Sequence, residues 1–275
     1  MPSELVVSLR TLDGLYLFGT LLIPEEGTEK AVVLVHGGAA TREEGGFFTR
    51  LAAGLGQVGV ASLRYDLRGH GESEGLQEDS PLTAHLNDIR VALAELRERT
   101  GARRVSLLAA SFAGGLAAYY TAKRPMELAR LVLINPLLDF KERFVNQKPY
   151  WHDDHLDDGH ALRLSGDGYL VHSPTFKLGR GMLNEVFWVE PREVLREITA
   201  PTLVIHGTED TLISVESSRS AVSLFRAEHR LVEIDGAGHG IAARDDPQYL
   251  SPQTKEWQAF AIRAMADWIT DPAAA

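Results

Sequence analysis

The chain has 275 residues, 44% hydrophobic and 24% charged, with a formal net charge of −10 and no cysteine. That acidity lacks the basic footprint that nucleic-acid phosphates or anionic membranes attract. The missing cysteines exclude a disulfide scaffold, a thiolate metal centre and a cysteine nucleophile. The opening "MPSELVVSLRTLDG" has neither the basic start nor the apolar core of a signal peptide, and no apolar run approaches the roughly 18 residues of a membrane span. The expectation is a soluble cytoplasmic protein with one sizeable core, its oligomeric state open, a homodimer included.

"ELVVSLR" and "LYLFGTLLI" read as two strands joined by the hairpin signal Asp13-Gly14. "AVVLVHGG" (31–38) is an unbroken apolar run ending in two glycines, the pattern of a strand buried on both faces of a parallel sheet. A helix over 47–58, a strand over 60–66, a helix over 82–99 and a strand over 104–110 follow. A helix over 112–123 and a strand over 130–135 complete the first half. The rhythm stops after Pro136 and returns with "PTLVIHG" (201–207), a helix near 214–225, "HRLVEID" (229–235) and a helix over 254–269. Such alternation predicts an α/β fold, a doubly wound, mostly parallel sheet. Residues 1–138 and 196–275 form the core, and 139–195 form an inserted cap over the site.

Two serines compete for a nucleophile's place. "GESEG" (71–75) spells G-x-S-x-G literally, but Ser73 lies seven residues past a strand, between two glutamates and before Pro81. A nucleophile elbow needs a strand directly before it and a helix directly after it. Ser111 has both, in "RVSLLAASFAGGLAAYY", with Ala109 and Ala113 where the pattern has glycine. Ser73 therefore reads as a solvated loop residue and Ser111 as the nucleophile.

A serine hydroxyl needs a base, and the base needs an acid to fix its tautomer. His239 in "DGAGHGI" and Asp210 in "LVIHGTEDTLI" each follow a strand, on the rim where open parallel sheets gather their chemistry. Glu209 is the adjacent alternative acid. Ser111, Asp210, His239 is also the chain order of α/β-hydrolases. For a developing oxyanion, the Phe112 amide at a helix N-terminus supplies one donor. The loop after "VLVHGG" supplies the other, with Gly38 favoured over Gly37.

Together "VLVHGG", "LRYDLRGHGESEG", "LLAASFAGG", "LVIHGTED" and "GAGHG" resemble the α/β-hydrolase superfamily. Within it the chain resembles small bacterial carboxylesterases that include feruloyl (cinnamoyl) esterases, and their acyl-glycerol lipase and serine aminopeptidase relatives. The resemblance covers 1–138 and 196–275 and hardly touches the insertion. It implies Ser111 as nucleophile, His239 as base, Asp210 as orienting acid, Gly38 and Phe112 amides as oxyanion hole, and no cofactor. It also implies that "RGHG" is a structural loop. The departure is the elbow, where alanine replaces both glycines; a serine there disfavours relatives with an aspartate nucleophile.

Residues 139–194 hold eight of the chain's 10 Phe, 7 Tyr and 4 Trp. Some of these fill the cap's own core, and Trp151, Tyr169, Phe187 and Trp188 are expected to line an apolar or aromatic acyl pocket. "WHDDHLDDGH" (151–160) carries three histidines, but their spacing fits no zinc template, so no metal is expected. The activity expected is hydrolysis of a small carboxylic ester through an acyl-enzyme. Thioester hydrolysis or acyl transfer would use the same residues, an acidic cap could attract an amine as in an aminopeptidase, and a non-catalytic receptor is the rival of another class.

Overall fold

Alternate residues of one apolar run enter two different cores. In the computed structural model, which describes residues 3–271, Ala31, Val33 and Val35 join one hydrophobic cluster while Val32 and Leu34 join a second. This is what an unbroken apolar strand requires when helices cover both faces of the sheet.

The first half runs β1 (Ser3–Arg10), β2 (Tyr16–Ile23), β3 (Lys30–Val35), α1 (Phe47–Gln57), β4 (Val60–Tyr65) and α2 (Leu82–Thr100). It continues with β5 (Arg104–Ala110), α3 (Phe112–Lys123) and β6 (Leu131–Ile134). An inserted stretch holds β7 (Trp151–His152), β8 (His155–Leu156), α4 (Asp158–Asp167), β9 (Tyr169–Ser173), β10 (Phe176–Gly179) and α5 (Arg180–Glu185). The sheet resumes with β11 (Thr202–Gly207), α6 (Val215–Val222), β12 (His229–Ile234) and α7 (Pro252–Thr270).

Eight strands lie in the order β1-β2-β4-β3-β5-β6-β11-β12. From β4 to β12 every neighbour is parallel; β2 alone runs against the rest, because it is the return arm of the β1–β2 hairpin. Helices α1 and α7 cover one face through Leu51, Leu55, Ala261 and Met265. Helices α2 and α3 cover the other through Ile89, Leu93, Leu116 and Ala117. The doubly wound, mostly parallel sheet read from the sequence is the one observed. Helix α7 begins two residues earlier than its apolar spacing suggests, because Ser251 caps it by accepting from the Thr254 amide, with Pro252 in the first turn. Among the described residues, no helix is long and apolar enough to cross a membrane.

The insertion leaves the sheet at β6 and returns at β11, its immediate neighbour. It carries two small hairpins, β7–β8 and β9–β10, elements too short to give periodicity in the sequence. Its buried side chains, Phe140, Phe144, Phe176, Leu178 and Met182 among them, belong to the same cluster as α2 and α3. The segment shares the main core instead of building one of its own.

Two buried histidines are held neutral. The His36 ring accepts the Leu67 amide on Nε2 (2.9 Å), so its Nδ1–H donates to the Gly37 carbonyl at 2.7 Å. Burial, with His70 close by, pushes its pKa down to about 3, and the same two causes push His85 well below its ordinary value. The unfolded chain protonates both rings below about pH 6.5 while the folded chain resists, so stability is complete above that value and is lost as pH falls toward 3. Unfolding free energy at pH 5 is expected to lie below that at pH 7, by on the order of 2 kcal/mol from His36 with His85 acting in the same direction. A urea midpoint that does not move between these pH values contradicts the neutral state of the rings.

Candidate active site

Strand β5 ends at Ala110 and α3 starts at Phe112, so Ser111 makes the whole turn, at φ 52 and ψ −121. A residue with a Cβ held in such a region costs on the order of 1–3 kcal/mol and persists only where its surroundings over-determine it. Here they do. The Ser111 amide donates to Ile134 (2.9 Å), and its carbonyl accepts from Gly114 and Leu137 (both 2.9 Å). A Cβ on Gly115 would sit 2.3 Å from the Leu137 carbonyl, and one on Gly114 2.7 Å from Pro136, so α3 approaches the segment after β6 as only glycine permits. Ala109 and Ala113 are fully buried in the places the elbow pattern gives to glycine.

Three strand ends converge on this serine. His239 Nε2 lies 3.1 Å from Ser111 Oγ, and its Nδ1 lies 2.7 Å from Asp210 Oδ2. Asp210 is buried and accepts from the Leu212 and Ile213 amides on Oδ1 (2.8 and 3.0 Å) and from Asn135 Nδ2 on Oδ2 (2.8 Å). Burial raises its pKa, but the His206 ring 3.5 Å away, the bond to His239 and the Ile213 amide outweigh it and hold the carboxyl well below the usual range. A carboxylate so held fixes the proton of His239 on Nδ1, which leaves Nε2 free to accept from the serine hydroxyl. Glu209, the other acid at this bend, has its amide bonded to the Ala237 carbonyl at 2.9 Å, while Asp210 provides the carboxylate that meets the ring.

Asn135 and Glu44 are the site residues that the sequence reading missed. Asn135, at φ 43, directly follows β6, donates to Asp210 and takes the Gly207 amide on Oδ1 at 3.3 Å. Glu44, Gly45 and Gly46 are three successive left-handed residues (φ 44, 61 and 83) that turn a carboxyl into the cavity, where it accepts the Gly37 amide at 2.9 Å. Burial pushes the Glu44 carboxyl up, opposed by that amide and by His239. The adjacent glycines of "TREEGG" were the available signal.

A cavity of about 570 Å³ opens over Ser111, with Gly37, Gly38 and Phe112 along its floor. The Phe112 amide is one of the first four of a helix and has no acceptor inside it. The Gly37 amide is occupied by Glu44, so Gly38 is the residue of that loop whose amide is left for a ligand. Phe144, His172 and Phe176 supply the wall from the insertion. None of Trp151, Tyr169, Phe187 and Trp188 lines this cavity, which corrects the pocket expected from the sequence. Trp151 packs against Phe187 at 6.0 Å, Lys177 sits 4.2 Å over Tyr169, and Trp188 is 81% exposed. Their hairpins and helix ends turn them away, whereas Phe144 and Phe176 occupy inward positions beside α3. In the "WHDDHLDDGH" loop, His160 stacks on Tyr150 and bonds Asp157, and His155 bonds the Asp153 carbonyl. Among the described residues, no three His, Asp or Glu side chains group as metal ligands.

A family model described as serine aminopeptidase, S33, matches residues 26–153. The monoacylglycerol lipase of Mycolicibacterium smegmatis is 26% identical over 277 residues, covering 91% of this chain and 95% of that protein. The structure of Est1E from Butyrivibrio proteoclasticus with ferulic acid bound superposes with a TM-score of 0.75 at 20% identity, covering 94% of this chain and 99% of that one. The monoacylglycerol lipase of Paleococcus ferrophilus gives 0.65 at 22% identity, covering 92% and 98%. These structural likenesses are of the α/β-hydrolase fold.

Ser73 stands elsewhere. Its hydroxyl donates to the Asp66 carbonyl (2.7 Å) and accepts the Phe18 amide (2.9 Å), tying the loop after β4 to β2. The same loop carries Arg68, paired with the fully buried Asp88 at 2.6 Å, and His70, whose Nε2 lies 2.9 Å from the Gly38 carbonyl. It braces the floor of the cavity from below. Ser73→Ala is expected to lower the free energy of unfolding by about 1–3 kcal/mol, the cost of unpairing two backbone groups. Urea titration of the variant against wild type measures it, and an unchanged midpoint contradicts the bracing role.

Proposed function

We propose that this chain, a member of the α/β-hydrolase superfamily, hydrolyses carboxylic esters through an acyl-enzyme formed on Ser111. The observation that carries the reading is the unbroken line from Ser111 Oγ through His239 to the buried Asp210, at 3.1 and 2.7 Å, under an open cavity. Ser111 Oγ attacks the ester carbonyl while His239 Nε2 takes its proton. The imidazolium that forms is stabilised by Asp210, which stays ionised throughout because its neighbours favour the carboxylate. The amides of Gly38 and Phe112 face the tetrahedral oxyanion, where one such donor contributes about 3–4 kcal/mol. His239 then returns the proton to the departing alcohol and activates water against the acyl-enzyme. Every group in the cycle belongs to the chain, so it runs without a cofactor or metal.

Residues 139–195 act as the cap that shapes the acyl end through Phe144 and Phe176. The monoacylglycerol lipase name of one relative and the ferulic acid held by a similar structure support a small ester with an apolar or aromatic acyl part. Thioester cleavage would use the same line of residues; the two relatives favour an oxygen ester. Retention of all three side chains in bonding order counts against a receptor that has kept only the fold.

Ser111→Ala is expected to reduce turnover of 4-nitrophenyl butyrate by about six orders of magnitude, to background. Ser73→Ala keeps near wild-type turnover, and the reverse pattern would move the nucleophile to Ser73. Asp210→Asn, which permits the wrong imidazole tautomer, is expected to cost about four orders of magnitude. Wild-type protein that is folded yet neither turns over esters nor takes up a fluorophosphonate overturns the hydrolase reading.

A further inference from the structure

The cavity wall supplied by the insertion carries positive charge with no acid to answer it. Arg143, on a single π turn (Glu142–Asn146), lines the cavity beside Phe144 and His172. Its guanidinium hydrogen-bonds the amide oxygen of Gln147 at 3.4 Å, and among the described residues no carboxylate lies within ion-pair distance of it. Lys148 is near enough that, after burial, the charge of Arg143 is what depresses its pKa. His172 Nδ1 is buried without a partner, and the ring stands edge-on to Phe144 (5.1 Å) and Phe176 (6.0 Å). Burial, then Lys148 and Arg143, bring its pKa down to about 4, so the ring is neutral at pH 7. The acids nearest in sequence are occupied by their own turn: Asp139 accepts the Glu142 amide, and Glu142 accepts from Asn146 and Gln147.

In a chain of net charge −10, Arg143 thus lines the cavity as a cation that no carboxylate of the described residues pairs with, and an incoming anion would supply the partner. The site also has a direction. His239 must deliver its proton to the leaving group, so the leaving group lies next to the His239 ring, near Tyr249, whose hydroxyl abuts Gly240. In the same cavity Phe176 meets Gly38 and packs on Phe112 at 5.2 Å, and Phe144, His172 and Arg143 line it from the insertion.

We propose that the acyl part of the substrate is a short apolar chain ending in a carboxylate, seated on the Arg143 guanidinium where Phe144 and the His172 ring line the cavity. This rests on the ester-hydrolase reading and narrows it to half-esters of dicarboxylic acids. The ester C–O bond breaks, water supplies the new hydroxyl, and the products are the dicarboxylate and the free alcohol. A planar guanidinium suits a carboxylate because it presents parallel N–H donors.

The test compares 4-nitrophenyl hydrogen glutarate with its methyl ester, equal in length and leaving group and differing in charge. Wild type is expected to favour the half-ester by about tenfold or more in kcat/KM, mainly through KM, with the preference shrinking as salt rises. In Arg143→Met the ratio of the two kcat/KM values is expected to collapse toward one, and Arg143→Lys is expected to restore part of it. Wild type that prefers the methyl ester, or a ratio unchanged in Arg143→Met, overturns the anion site. Activity on the neutral ester with fluorophosphonate uptake at Ser111 keeps the hydrolase reading standing in that event; failure of both removes the two proposals together.

Discussion

The geometry of the site depends on one backbone conformation, the left-handed turn at Ser111. A residue with a side chain does not rest there unaided. It is held because β5 is fixed in the middle of a parallel sheet, because α3 starts without an intervening residue, and because Gly114 and Gly115 let that helix touch Pro136 and Leu137. The two bonds accepted by the Ser111 carbonyl tie the turn to α3 and to the chain leaving β6. Pre-organisation of this kind lets a reacting atom be placed without reorganisation at the moment of reaction.

Around that turn the electrostatics are arranged in tiers. Asp210 is buried, yet it is surrounded by donors from three different strand ends, so its charge is favoured and its direction is fixed. Asn135 is central to this, since it bonds Asp210 on one side and the Gly207 amide on the other and so couples the rims of β6 and β11. Glu44 does a comparable service for the neighbouring loop. By occupying the Gly37 amide it distinguishes that glycine from Gly38, the neighbour the sequence already favoured as the donor.

Much of the sheet was legible because buried parallel strands leave unbroken apolar runs and their helices leave a 3.6-residue period, as in "AVVLV" and residues 82–99. The meeting of Ser111, Asp210 and His239 followed from the rule that strand C-termini share one rim, and all three follow strands. What the sequence hid was orientation inside the insertion. Hairpins of two to five residues carry no usable period, so an aromatic count could not tell Phe144 and Phe176, which point in, from Trp151 and Trp188, which do not. Glu44 and Asn135 were hidden for another reason. Both act through left-handed backbone, for which the glycines after Glu44 and the asparagine at 135 are only weak signals in a sequence.

That the insertion draws its buried side chains from the common core has a consequence for how such a protein changes over time. A lid with a private interior can be exchanged between relatives as a module, altering what is accepted while the scaffold stays indifferent. Here Phe140, Phe144 and Phe176 all pack on Phe112, the residue next to Ser111. The shape of the cavity and the packing of the core are therefore bound to the same few rings, and a transplanted segment would have to arrive together with compensating changes in α2 and α3.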